Sequence, residues 1–497
     1  MNKSGLRFDL SFAVPRGTHP RDDTDPFRIL ILGGFSGKAE VPLAQRRPIG
    51  VDIDTLEQVF ARLAPRIALT LGGEPLTIEL HSLDDFHPDR LFARFAPFGA
   101  LRQLRAEILD PTQFRRAAAA LGAAPKSAAA ATTETAREDT GADLERLLGR
   151  QPTAATTTAG TVDLSGWLRE LVGQQSVPDI ADEQQALLAM VDAALGELMR
   201  RVLHDPAFQS LEARWRGVER LVRDLELGES LHLFLLDAAR DELAYDLQTH
   251  AADLSRSALH GHLCGPQTEA PDGKRWSLLA ADLSFGADLD ELQLLAALGA
   301  LAGRAGAPLL AAATPSLLGA TAVDQMIDSR TWQPLDTDTA AFWQALRQSP
   351  MAPWIGLALP RILLRQPYGT HSDPITAFAF EELPVREHAG YLWGNPAFGL
   401  ALLAAQAFTE SGWDMDLDAG LDIGDLPSHI YREDGEPHQQ PCAEVAMGES
   451  AGTALLGQGL IPLLSYRNRN AVRLLRWQSI ADPAQPLRGA WVGIARP

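Results

Sequence analysis

Three stretches of the sequence carry residue types that could do chemistry. Ile31-Leu32-Gly33-Gly34-Phe35-Ser36-Gly37-Lys38-Ala39 sets glycines, a serine and a lysine directly after an apolar run, where a backbone cradle for phosphate would form. The spacing between its glycines is one short of that motif, and Ala39 stands where Ser or Thr would hold magnesium. No helical pattern opens at Lys38, so the glycines read as a tight turn. His260, His262 and Cys264 are zinc-ligand types. Three on one short stretch, without a fourth ligand or a carboxylate behind them, suit a loop with scattered histidines better. Asp84-Asp85-Phe86-His87 could form an acid/base or metal cluster, but it stands just before Pro88, where carboxylates and His are ordinary caps. The sequence has no Gly-x-Ser-x-Gly elbow, His-Glu-x-x-His helix or Cys-x-x-Cys pair. The expectation is no catalytic residue, no cofactor, no metal, and not an enzyme.

The elements that would position these residues alternate. Leu6 to Phe12 alternates like a half-buried strand, and Phe27 to Leu32 reads as a buried one. Asp54 and Glu57 suggest a capping box for a helix with Leu56, Val59, Phe60 and Leu63 as its stripe, stopped by Pro65. Residues 66–71 and 76–80, around Gly72-Gly73, suggest a hairpin, and Pro88 opens a further helix. Two amphipathic helices follow later, marked by Leu187 to Val202 and by Phe208, Leu211, Trp215, Val218 and Val222. Strands at 231–236, 276–283, 309–313 and 355–359 then alternate with helices at 289–301 and 342–346. Residues 396–408 are apolar all round, which predicts a buried helix. Strand and helix taking turns implies an α/β class with a parallel or mixed sheet.

Residues 116–161 stand apart, rich in Ala, Thr and Pro and poor in large apolar side chains. Such a segment cannot bury enough surface to offset its ordering entropy. The expected division is therefore a small α/β domain at 1–115, a linker at 116–161 and a larger α/β domain at 162–497. A net charge of −20 argues against nucleic acid, which needs a basic face. Two cysteines in 497 residues point to a reducing compartment. The N-terminus lacks an apolar signal region, and the most apolar stretch, 292–313, is broken by Gly303, Arg304, Gly306 and Pro308, so no membrane insertion is expected. The expected location is cytoplasmic.

Two sets of motifs say more. Residues 27–37, then Arg47-Pro48-Ile49 and Leu83-Asp84-Asp85-Phe86-His87-Pro88-Asp89, resemble the small subunit (TssB or VipA family) of the type VI secretion contractile sheath. The later stretch resembles the large subunit (TssC or VipB family), in order, at residues 208–217, Leu357-Ala358-Leu359-Pro360-Arg361, 365–369, Tyr391-Leu392-Trp393-Gly394-Asn395-Pro396-Ala397 and Gly412-Trp413. Leu426-Pro427, Pro441-Cys442-Ala443-Glu444-Val445, Gly459-Leu460-Ile461-Pro462-Leu463 and Gln478-Ser479 continue it. The resemblance implies a fused structural subunit with a contractile-sheath fold that stacks around inner-tube hexamers and joins other sheath subunits or itself by strand exchange. It also implies contacts with an AAA+ unfoldase and a baseplate. Leu164, Trp167, Leu168, Leu171 and Val172 fall where that family's unfoldase-recognition helix lies. The large-subunit pattern ends soon after Ser479, short of the family's C-terminal segment, with Leu487, Ala490, Trp491, Val492 and Ile494 as a remaining strand for exchange. A second reading is an accessory protein that caps, nucleates or regulates sheath polymerisation, and a third is an enzyme on a sheath-like fold.

Overall fold

The computed structural model describes residues 25–38, 40–71, 73–121, 180–265 and 275–491. Its contacts divide the chain into two units. The first gathers residues 1–65, 210–366 and 391–497, and the second residues 66–209 and 367–390.

The first unit is built on a nine-stranded sheet. In chain order its strands are β1 (Phe27–Gly33), β2 (Ile49–Val51), β5 (Leu231–Asp237), β6 (Leu278–Phe285), β7 (Leu309–Ala313), β8 (Ile355–Leu359), β11 (Asp422–Ile423), β14 (Ile461–Ser465) and β15 (Val472–Leu474). Their spatial order is β11-β15-β14-β8-β7-β6-β1-β5-β2. The centre is parallel, as continuous apolar runs buried on both faces require. The outer pairings β2–β5, β14–β15 and β11–β15 are antiparallel. Leu30 and Leu32 of β1 share a core with helix Leu289–Ala305 on one face. On the other face Phe27 meets Phe408 of helix Pro396–Ser411 at 5.0 Å between ring centroids. That helix is buried at every position from Pro396 to Ala405, as its apolar composition there predicts, while Gln406 and residues 409–411 of its last turn are exposed. Two smaller pairings complete this unit, β9 (Ile362–Leu363) with β10 (Trp393–Gly394) and β12 (Ile430–Glu433) with β13 (Glu436–Gln439).

The second unit holds a hairpin of β3 (Arg66–Leu71) and β4 (Glu74–Glu79), helices Pro88–Arg94, Gly99–Leu109 and Phe114–Ala120, and the long helix Ile180–Leu203. Helix Gly99–Leu109 runs along the long helix, tied by Arg105 to Asp192 at 2.7 Å and by Gln184 Nε2 donating to the Ile108 carbonyl at 2.8 Å. Rings of Phe92, Phe378 and Phe380 pack in sequence at tilted angles and bring residues 367–390 onto the same core.

Several expectations need correction. The expected boundary in sequence is not a boundary in space: β1 and β2 belong to the same sheet as β5 to β8, because β1 supplies an apolar ladder that only strands from the later stretch pair. The linker does not begin at 116, since helix Phe114–Ala120 continues to Ala120, with Ala117 and Ala118 buried. Alanine has the best helix propensity and fits a tight contact, which outweighs its small apolar area. Asp54 does not cap the first helix, Leu56–Leu63, whose N-cap is Thr55; Asp52 Oδ1 holds the turn before it, accepting from the N–H groups of Asp54 at 3.1 Å and Thr55 at 2.9 Å. The second strand of the later stretch begins at Leu278, not 276, because Trp276 turns its indole N–H to the His262 carbonyl at 3.0 Å. The strand expected at 6–12 lies outside the described residues.

Candidate functional site

Each stretch with catalytic residue types is engaged as scaffolding. In the glycine loop after β1, Ser36 donates from its backbone N–H at 3.1 Å and its hydroxyl at 2.6 Å to the carboxylate of Asp237, at the end of β5. The anion that such a loop could hold is thus the chain's own. Lys38 turns to Glu40 at 3.6 Å. His260, His262 and Cys264 lie on a short helix, Ala258–Cys264, and not in the expected loop. Successive positions two apart on a helix face different ways, so the three cannot close on one ion. His262 Nε2 meets the Leu43 carbonyl at 2.9 Å, and Cys264 is buried. Asp85 accepts from the His81 and Ser82 N–H groups at 2.8 and 3.2 Å and pairs with Arg94 at 2.6 Å. Asp89 takes four hydrogen bonds from Thr376 and Ala377. Burial pushes its carboxyl up, but the Thr376 hydroxyl and the two N–H donors outweigh that and hold it below the usual carboxylate range.

The motifs of the two stretches meet one another in the first unit. On helix Pro206–Asp224, Arg214 donates to the Gly34 carbonyl at 2.5 Å and to Asp282 at 2.6 Å. The adjacent Trp215 donates its indole N–H to the Phe35 carbonyl at 3.1 Å and packs its fully buried ring 5.4 Å from Phe35 and 4.6 Å from Phe60. Gly217 lets the same helix approach helix Pro396–Ser411 closely, since a Cβ there would stand 3.0 Å from the Phe398 ring. Glu212, fully buried, accepts from Arg365 Nε at 2.9 Å and Arg216 Nε at 2.8 Å. Asn395 caps its helix by accepting from the Ala397 N–H at 2.9 Å, and its amide donates to the Leu283 carbonyl at 3.0 Å. Arg361 grips Glu444 through its backbone N–H, Nε and Nη2 at 2.6 to 2.9 Å. Cys442 is buried between the Pro427 and Arg469 carbonyls, and burial pushes its thiol up to about 11 against the pull of Arg220. These are the bonds of a rigid frame. Sequence reading missed the Glu212 cluster; its signal was a glutamate on the helical face of Phe208 and Trp215.

Sheet edges are the other functional feature. Among the described residues β2 pairs only with β5 and β11 only with β15, so these two strands are the edges of the large sheet. Among the described residues the β12–β13 hairpin pairs only with itself, and Ile430 is 65% exposed. The segment expected to exchange strands is folded back where it is described. Leu487 is buried, with its side chain beside Gly356 of β8, Arg488 N–H donates to the Pro353 carbonyl at 2.7 Å, and Trp491 stacks on Phe27 at 6.4 Å. Leu487, Ala490 and Trp491 therefore form no strand there, because the apolar side chains find their burial on the same chain. Val492 and Ile494 lie outside the described residues, as do all five residues of the expected recognition helix, Leu164, Trp167, Leu168, Leu171 and Val172. No helix among the described residues is long and apolar enough to cross a membrane.

Two family models match the chain. Residues 185–481 match VipB, described as a tail sheath N-terminal domain, and residues 5–114 match VipA of the type VI secretion system. The chain is similar to the type VI secretion system sheath protein TssC1 of Pseudomonas aeruginosa, with 28% identity over 308 residues, covering 61% of this chain and 62% of that protein. The chain thus spans less than two thirds of the length of this relative.

Proposed function

Because the chain belongs to the VipB tail-sheath family of type VI secretion, and carries a VipA match on the same polypeptide, we propose that it is a structural subunit of a contractile sheath. The observation that carries this reading is the shared sheet. Strands β1 and β2 come from the VipA-like stretch and β5 to β8 from the VipB-like stretch, and at one end of the sheet, in the order β6-β1-β5-β2, strands of the two stretches alternate as neighbours. Arg214 and Trp215 of the second stretch then lock the loop that follows β1 of the first. In this reading the partners are further sheath subunits, inner-tube hexamers and the baseplate, the site of work is the cytoplasm, and the open edges of β2 and β11 take strands from neighbours. An AAA+ unfoldase would engage residues 164–172 on disassembly, and Leu168→Asp with Leu171→Asp should then weaken its binding.

Negative-stain microscopy of the purified chain, alone and with inner-tube protein and any separate sheath subunits of the same cell, tests the reading. Tubes that contain the chain are the expected result. Discrete particles under every one of these conditions would overturn it.

A further inference from the structure

Helix Thr337–Arg347 ends in a guanidinium that is only 8% exposed. Arg347 Nε donates to the Ile480 carbonyl at 2.9 Å, and the cation lies 6.0 Å from the centre of the Trp343 ring. Gly459 makes its room. At φ +79° this position favours glycine, and a Cβ there would stand 3.1 Å from Arg347 Nη2 and 2.9 Å from the Ile480 oxygen. Among the described residues the two terminal nitrogens of Arg347 have no acceptor and no carboxylate within ion-pair distance. They border a recess of about 460 Å³ whose wall carries Arg476, exposed and held only by a long 3.4 Å bond to Gln478. Asp482 also lines the recess, and its Oδ2 accepts from Gln344 Nε2 at 2.9 Å. Burial lowers the pKa of Arg347, and Asp482 offsets this only in part. Two arginines around an open recess, one of them desolvated and with no ion pair among the described residues, match a carboxylate, which a guanidinium binds through paired N–H groups.

The chain itself offers a fitting donor. The tip of the β12–β13 hairpin reads Glu433-Asp434-Gly435-Glu436, and all four residues are exposed. Asp434 at φ +51° and Gly435 at φ +86° make the turn, which sets Glu433 directly opposite Glu436. Like charges opposed across a hairpin repel, and a cationic partner relieves that repulsion. We propose that the Arg347–Arg476 recess receives the acidic tip of this hairpin from a second copy of the chain. The proposal rests on the sheath reading for the presence of that second copy.

The test uses a labelled cyclic peptide of residues 429–440 and the full-length chain, followed by fluorescence anisotropy. Binding that weakens with added salt is expected, and Arg476→Glu should lower affinity by about tenfold or more. A peptide carrying Glu433→Lys and Glu436→Lys should then prefer the R476E chain over the parent. Because Arg476 is exposed, R476E should melt like the parent, and Arg347→Gln supplies a second variant with the same expected loss. No binding, equal binding by parent and R476E, or no preference for the reversed peptide overturns the proposal. Co-pelleting with sheath separates the two readings. If parent and R476E join sheath equally, the recess assignment fails and the sheath reading stands. If neither joins while the peptide still discriminates, the sheath reading fails and the acidic-peptide site stands.

Discussion

Glu212 offers the sharpest perturbation of the frame. Its carboxylate has no exposed surface and is shared by Arg365, itself only 7% exposed, and by Arg216, which can turn to Glu219 at 3.8 Å. Glu212→Ala removes the acceptor and leaves the Arg365 cation buried without the Glu212 carboxylate. Breaking a buried pair from one side costs about 3–5 kcal/mol. A cooperative unit of roughly 300 residues unfolds with an entropy near 0.6 kcal/mol per kelvin, so the midpoint should fall by about 5–8 °C. Glu212→Gln, which keeps the shape and one acceptor, should fall by less. The double change Glu212→Leu with Arg365→Met removes both charges and should recover most of the loss, because neither side then pays desolvation. Differential scanning calorimetry on the full chain reads all three. A fall below about 1 °C for Glu212→Ala, or a double variant less stable than either single one, would refute the reasoning.

Other outcomes follow from the same geometry. Trp215→Ala empties a fully buried site between Phe35 and Phe60 and orphans the Phe35 carbonyl, so it should cost about 3–5 kcal/mol in urea unfolding. Asp89 is held below the ordinary carboxylate range, so the stability it contributes is present above that range and is lost as pH falls through its folded-state value. Asp89→Asn should therefore lower the melting midpoint near neutral pH and flatten its decline below about pH 4. Cys442, buried and with its thiol pushed up to about 11, should resist alkylation at pH 8 in the native chain and react promptly in denaturant. Proteolytic cleavage between residues 122 and 161 should leave the two fragments co-eluting on a sizing column, because β1 stays laddered to β5 and β6.

How far the sequence could be read depended on how local the determining physics was. The run Phe27 to Leu32 announced β1, and the alternation of apolar strands and helices from 231 onward announced an α/β sheet, because burial on both faces leaves a composition mark. Nothing local says which strands are neighbours, so the insertion of β1 between β5 and β6 was hidden. β14 was hidden for a different reason. Pro462 lies inside it, and proline ordinarily argues against a strand. The site was half legible. Motif residues such as Trp215, Arg361 and Asn395 could be named, yet their partners Phe35, Glu444 and Leu283 lie 83 to 180 positions away along the chain. Arg347 gave no signal at all, since an arginine at a helix C-terminus is expected on dipole grounds alone.

The place of β1 in the sheet sets an order of events at the ribosome. Phe27–Gly33 is made first, whereas its neighbours β5 and β6 begin at Leu231 and Leu278. At about 5–20 residues per second, an interval of roughly 200 residues lasts about 10–40 s, long against the microseconds to milliseconds of local folding. Through that interval a seven-residue apolar strand has no ladder to join, and pairing it later closes a very long loop. The nascent chain thus carries an adhesive segment that holdase chaperones would recognise. Slowing translation ahead of residue 231 should lower soluble yield without changing the stability of the protein that does fold.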